Sequence, residues 1–310
     1  MKQISRLLFQ SILGRRLPAD SGALRLEGPI APIRIARDQW GIPYIEAQND
    51  HDAWFGLGFC QGQDRAFQIE TRLRVVRGTL AELIGPDGVP IDRVSRSIGF
   101  YRSAQAQLAA LARPERELLE AFARGVTAGA ARGGERLAHE FTLLRSQPTP
   151  YTAADVLGLL KLISFLLASN WDVEMARLLV AQLDGVDALL ALDPVARYAR
   201  EDLAELEGAD ARSGGRVREA VVSLHRELQM FFTAAGRSGG SNNWAVAPQR
   251  TRRGNPIVAN DPHLPPGLPP HWYLAHVRTP QWRAVGACLA GAPGIIVGHN
   301  GRVAWGVTAG

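Results

Sequence analysis

The apolar residues of this chain change their spacing once, near Gly236, and that change limits the fold more than any other feature. Up to about residue 230 they recur at the three- and four-residue spacing of amphipathic helices. From Trp244 onward they alternate, as half-buried strands do. A helical first part followed by a strand-rich last part predicts an α+β chain, since a parallel α/β sheet would alternate the two element types. One early exception is residues 30–46, which alternate and are β-branched; they read as a hairpin turned near Gln39-Trp40-Gly41. Helices are predicted from Asp50 to about Leu83, over 103–131 and over 152–184. Gly85-Pro86-Asp87-Gly88 closes the first of these, and a capping box, Thr152 to Asp155, opens the last. The charged stretch Arg197 to Glu227, with Ser213-Gly214-Gly215 inside it, is the most linker-like part. Strands are predicted at 244–247, 256–259, 271–278, 283–289, 294–298 and 303–308.

Composition excludes several function classes. The 310 residues are 46% hydrophobic and 21% charged, as in ordinary globular proteins. A mean hydropathy of −0.07, without an apolar run of about 18 residues or more, argues against a membrane-spanning helix. The net charge is +5, carried by 33 arginines and only two lysines, Lys2 and Lys161. The arginines are interspersed with acids, as in Glu115-Arg116-Glu117, which describes a self-paired surface rather than a nucleic-acid footprint. Cys60 and Cys288 sit in apolar contexts and read as two buried thiols; one disulfide is left open, a disulfide framework is not. Met1 to Arg16 is positively charged, but its apolar run is broken by Gln10 and Ser11 and no small-residue cleavage site follows. It reads as an amphipathic helix rather than a signal peptide, which favours the cytoplasm over the periplasm.

Few catalytic motifs survive inspection. Gly236-Arg237-Ser238-Gly239-Gly240 has the G-x-S-x-G form, but a nucleophile elbow needs a strand before the serine and a helix after it, and here the order is reversed. Gly56-Leu57-Gly58 lacks the third glycine of a dinucleotide site, and no zinc motif is present. No organic cofactor is implied. Gly239-Gly240-Ser241 is more informative. Two glycines before a serine can hold a backbone that bulkier residues cannot, exposing the Gly240 carbonyl to the Ser241 hydroxyl. An N-to-O acyl shift and hydrolysis would leave Ser241 with a free α-amine, of pKa roughly 7.7 to 8.0. That amine could activate its own hydroxyl without a histidine.

The company that junction keeps is specific. Gly240-Ser241-Asn242-Asn243-Trp244-Ala245-Val246, Ala259-Asn260-Asp261-Pro262-His263-Leu264, Gly298-His299-Asn300 and Ala304-Trp305-Gly306-Val307-Thr308-Ala309 resemble the start of the β chain of the penicillin acylase family. Ala36-Arg37-Asp38-Gln39-Trp40-Gly41-Ile42-Pro43, Gly58-Phe59-Cys60-Gln61-Gly62-Gln63-Asp64-Arg65 and Arg77-Gly78-Thr79-Leu80-Ala81-Glu82 resemble its α chain. These enzymes are N-terminal-nucleophile amidohydrolases with a four-layer αββα sandwich. The resemblance implies Ser241 as nucleophile, cleavage at Gly240-Ser241, and His263 as the residue that helps set the amine and hydroxyl. It implies the Ala309 N–H as half of an oxyanion hole, and Leu264 and Val297 as acyl-pocket residues. Both are aliphatic where phenylacetyl-specific members are aromatic. Glu174 matches a carboxylate that binds structural calcium, whose other ligands would lie beyond Gly310. Tyr44 replaces a histidine common in the α-chain motif.

The domains so implied are an N-terminal extension (1–24), an α-chain region (25–210), a spacer removed on maturation (211–240) and the start of the β chain (241–310). The expected product is an α/β heterodimer from one precursor, acting on a small amide with no nucleic-acid or membrane partner. Candidate substrates are β-lactam side-chain amides, as in antibiotic turnover, or N-acyl homoserine lactones. The resemblance also implies that these residues are the opening part of a longer precursor, and that alone they fold poorly and lack activity. The competing readings are a non-catalytic binding or structural fragment and a hydrolase using Ser238.

Overall fold

Alternation near the N-terminus becomes a hairpin. In the computed structural model, which describes residues 17–132, 137–168, 171–192, 214–235 and 240–308, β1 (Arg34–Arg37) pairs antiparallel with β2 (Pro43–Glu46). The Asp38 carboxylate makes the turn by accepting the N–H groups of Trp40 and Ile42 at 2.9 and 3.0 Å.

Helix α1 (Asp50–Arg77) starts at Asn49, whose side chain accepts the Asp52 N–H, and stops at Gly78 in the left-handed region. It ends earlier than predicted. The Gly85–Gly88 segment is a single 3-10 turn between α2 (Ala81–Ile84) and α3 (Val89–Ile98), a helix the sequence reading missed. Pro86 belongs to the run read as a terminator, yet it and Pro90 each sit in a first turn, where the missing N–H costs nothing. The predicted helix over 103–131 is two, α4 (Phe100–Ala110) and α5 (Arg113–Arg132), parted at Leu111, which is extended. Next come α6 (His139–Leu143), α7 (Ala153–Leu167), α8 (Trp171–Asp184), α9 (Val186–Leu192) and α10 (Gly214–Ala235). The capping box forms: the Thr152 N–H donates to Asp155 at 2.8 Å, and Asp155 also pairs with Arg77 at 2.7 Å. Helix α10 occupies the second half of the stretch read as linker. Its charges masked a helical apolar spacing that buries Leu228 and Phe231.

α1 and α5 cross at backbone contact. A Cβ on Gly58 or Gly62 would collide with the carbonyl oxygens of Phe122 or Val126, and one on Gly125 or Gly129 with those of Phe55 or Phe59. Only glycine permits this approach.

The chain divides into two compact units, residues 1–163 with 238–310, and residues 164–237. In the first lie β3 (Gly240–Val246), β4 (Ile257–His263), β5 (Trp272–Arg278), β6 (Arg283–Leu289), β7 (Val297–His299) and β8 (Ala304–Trp305). Strands β3 and β4 form their own ribbon. The others join the early hairpin in a six-stranded sheet of order β1-β2-β5-β6-β7-β8, antiparallel except where β2 meets β5. The sheet packs Ile45, Tyr273, Val277 and Cys288 against Leu57, Ile69 and Leu73 of α1 and Phe122 and Val126 of α5. Each Ile, Val, Leu or Phe among them contributes on the order of 1.5–3 kcal/mol when buried.

Buried polar ties reinforce this shared core. Gln61 accepts the Gly291 N–H at 2.8 Å and donates to the Ala292 carbonyl at 3.3 Å. The Tyr151 hydroxyl donates to Gly291 O at 2.7 Å, and Tyr273 donates to Asp64 at 2.6 Å. Cys60 and Cys288 are separate buried thiols, each pushed up to about 12 mainly by burial. The architecture is α+β, as the change of spacing predicts. Among the described residues, no helix is long and apolar enough to cross a membrane.

Candidate active site

The β3–β4 ribbon carries the site. Its register sets Gly240 opposite His263, Ser241 opposite Pro262 and Asn243 opposite Asn260. Gly240 has φ +134°, which L side chains rarely adopt. The unusual backbone therefore falls on the residue whose carbonyl precedes the Ser241 nitrogen. A Cβ at Gly240 would stand 3.9 Å from His263 Nδ1, so the imidazole lies beside this glycine.

Strand alternation gives the ribbon two chemically distinct faces. Asn242, Asp261 and His263 share one, where His263 Nε2 is 3.0 Å from an Asp261 carboxylate oxygen. Both side chains are well exposed, at 46% and 73%, so solvent screens that pair. Ser241, Asn243 and Asn260 share the other, and the segment after β8 runs across it. Gly306 is required there, because a Cβ would crowd Asn243 and Asn260. Asn260 Nδ2 donates to Asn242 O at 2.9 Å and to Val307 O at 2.7 Å, clipping the segment to β3. Thr308 then reaches Ser241: the two hydroxyl oxygens are 2.7 Å apart, and Thr308 Oγ1 donates to the Ser241 carbonyl at 3.0 Å.

The structure thus brings together Gly240, Ser241 and His263, and adds Asn260 and Thr308, which sequence reasoning missed. Both lay inside the motif blocks quoted above, but no local pattern says that residue 308 returns to residue 241. Leu264 follows β4 directly, half-buried, its N–H donating to Pro262 O at 3.0 Å. Val297 opens β7 opposite Ala287, in the six-stranded sheet rather than the ribbon. Ala309 and Ser238 lie outside the described residues. Helix α10 before Ser238 and β3 after it are the reverse of a nucleophile elbow.

Glu174 is on α8, in the other compact unit. It is 53% exposed and accepts a hydrogen bond from Arg177 at 2.6 Å. Among the described residues, no three His, Cys, Asp or Glu side chains group closely enough to hold a metal ion. Calcium needs several oxygen ligands, so these residues do not by themselves fit one.

Chemically, the ribbon can present a primary hydroxyl beside an amide link whose carbonyl belongs to a glycine in a restricted conformation, with an imidazole across the strand pair.

A family profile described as penicillin amidase matches residues 32–310. Acyl-homoserine lactone acylase QuiP of Pseudomonas aeruginosa is 34% identical over 301 residues, covering 94% of this chain and 35% of its own length. Penicillin acylase 2 proenzyme of Pseudomonas sp. (strain SE83) is 33% identical over 302 residues, covering 94% and 38%. Penicillin G acylase of Escherichia coli is 24% identical over 366 residues, covering 100% and 42%. The chain therefore spans a little over a third of the length of the curated relatives it matches. Among solved structures, a thermostable penicillin G acylase from Alcaligenes faecalis is similar with a TM-score of 0.45 and 27% identity, covering 53% of this chain and 90% of that one.

Proposed function

The chain belongs to the penicillin amidase family, and on that premise we propose that the whole protein hydrolyses a linear, non-peptide amide through Ser241. The observation that carries the proposal is the junction itself. A glycine at φ +134° abuts a serine whose hydroxyl is held by a neighbouring segment, with His263 across the ribbon.

Maturation comes first. Ser241 Oγ bonds to the Gly240 carbonyl carbon, the Gly240–Ser241 C–N bond breaks, and the hydroxyl proton ends on the departing nitrogen. Water then hydrolyses the ester, leaving a Gly240 carboxylate and a free Ser241 amine. In turnover that amine, with a reference pKa of roughly 7.7 to 8.0, accepts the hydroxyl proton and delivers it to the leaving amine of the substrate. The acyl group rests on Ser241 until water releases it as the acid. His263, beside Gly240, stands next to the cut bond and would orient the new amine. The Ala309 N–H would donate to the oxyanion, a contact worth about 2.7–4 kcal/mol in a hydrolase. Cleavage gives two chains that remain one particle, because β2 and β5 pair in the same sheet.

For the substrate we favour an aliphatic acyl amide of the N-acyl homoserine lactone type over a phenylacetyl amide. Leu264 and Val297 are aliphatic at the positions assigned to the acyl pocket. Relatives named as acyl-homoserine lactone acylases recur among those that match.

The test is release of homoserine lactone by the whole protein, beside a phenylacetyl anilide and a Ser241→Ala control. Turnover that persists without the serine hydroxyl sinks the mechanism. A preference for the phenylacetyl compound sinks the substrate assignment alone.

A further inference from the structure

We propose that Thr308 is a positioning residue for Ser241, orienting the serine hydroxyl in the uncut chain, and that Asn260 holds Thr308 in place. The inference rests on the reading of Ser241 as nucleophile and deepens it.

The hydrogen-bond directions follow from counting protons. A threonine hydroxyl has one proton and two acceptor lone pairs. In the arrangement that satisfies both contacts, the threonine proton lies on the Ser241 carbonyl, 3.0 Å from Thr308 Oγ1, since a carbonyl can only accept. In that arrangement Thr308 accepts at 2.7 Å from Ser241 Oγ, and the serine is the donor. The pair forms a small closed ring: Ser241 O–H to Thr308, Thr308 O–H back to the carbonyl of Ser241. Two consequences follow. The serine proton is directed to the Thr308 side, which turns the Oγ lone pairs away from it, and a lone pair is what attacks a carbonyl. The rotation of the serine side chain is also tied to the Ser241 carbonyl, on the same residue whose nitrogen belongs to the scissile link.

Thr308 keeps this place through Asn260. The amide of Asn260 bridges Asn242 O and Val307 O, so the residue before Thr308 is fastened to the residue after Ser241. Thr308 forms no bond to the reacting carbon and retains no proton. It acts through Ser241. Its side chain is exposed, so loss of its methyl group removes little packing, whereas loss of its hydroxyl removes both hydrogen bonds.

The experiment compares Thr308→Val, which keeps the shape and loses the hydroxyl, with Thr308→Ser, which does the opposite. Both are made in the full-length protein beside wild type and Ser241→Ala. The readouts are the rate of cleavage at Gly240–Ser241, the kcat and KM of the cut enzyme, and Tm. Thr308→Val is expected to cleave about tenfold more slowly, the effect of one net hydrogen bond of about 1.4 kcal/mol. Its kcat should fall with KM unchanged, and Thr308→Ser should be near wild type throughout.

Equal rates for wild type and Thr308→Val overturn the inference while leaving the nucleophile reading intact. So does a Thr308→Ser that is as slow as Thr308→Val. If Thr308→Val does not fold, the serine variant decides: a tenfold loss at unchanged Tm counts against the inference, wild-type rates for it. Should wild type stay uncut at this bond, or Ser241→Ala be cut there, the nucleophile reading fails and the inference with it.

Discussion

Among single residues, Gly240 holds the unusual backbone beside Ser241. Its φ of +134° suits glycine alone, and strain from a side chain there costs about 1–3 kcal/mol. Gly240→Ala is therefore predicted to cleave more slowly than wild type, read as the fraction cut over time on a denaturing gel; wild-type kinetics would mean the conformation plays no part. A second residue sets acid sensitivity. Asp52 is fully buried at the start of α1. Burial pushes its carboxyl up, but hydrogen bonds from the Ile30 N–H, His51, Asn49 and the Ala31 N–H outweigh burial and hold it below its ordinary value. A depressed carboxyl adds stability that is fully present above the unfolded value, about 3.9, and is lost as pH falls through the folded one. Wild type should thus exceed Asp52→Asn in urea midpoint near neutral pH, and the gap should narrow below about pH 4. A gap that widens in acid would contradict the assignment. The motif blocks made Ser241, Gly240 and His263 legible in sequence. The contact of Thr308 with Ser241 was not, because it spans 67 residues.

At the scale of elements, the crossing of α1 and α5 gives a prediction whose sign is diagnostic. Glycine inside a helix is ordinarily less stable than alanine by about 1 kcal/mol, so Gly→Ala should stabilise wherever there is room. At Gly58 and Gly125 there is none, since each new Cβ would meet a carbonyl of the facing helix. Gly58→Ala and Gly125→Ala should each lose roughly 1–3 kcal/mol, as overpacking does, with a lower Tm in thermal unfolding. A raised Tm in either would show that the helices stand farther apart. Most helices and strands were readable from apolar spacing. Those that were not had two separate causes: the Gly85-Pro86-Asp87-Gly88 run ahead of α3 looked like a terminator, and the charges of α10 looked like a linker. The close crossing itself was invisible, since Gly58 and Gly125 mark small residues but not what they face.

For the whole molecule, the sheet matters most. Strand β2, from the first fifty residues, lies parallel to β5, with Tyr44 opposite His276. Gln61, Tyr151 and Asp64 then bind the strand-rich part from the helical part. No sequence pattern announces a parallel pair so far apart in the chain, although the change of spacing did announce the two parts. A cut at Gly240–Ser241 should leave both products bound, co-eluting on size exclusion and separating only in denaturant; separation in native buffer would contradict a shared core. Intact mass spectrometry of the purified full-length protein reads the cut itself. Wild type should yield a large chain beginning Ser241-Asn242-Asn243-Trp244, and a Ser241→Ala variant should stay uncut at that bond. A mature chain beginning at any other residue, or a Ser241→Ala protein cut between residues 240 and 241, would contradict it.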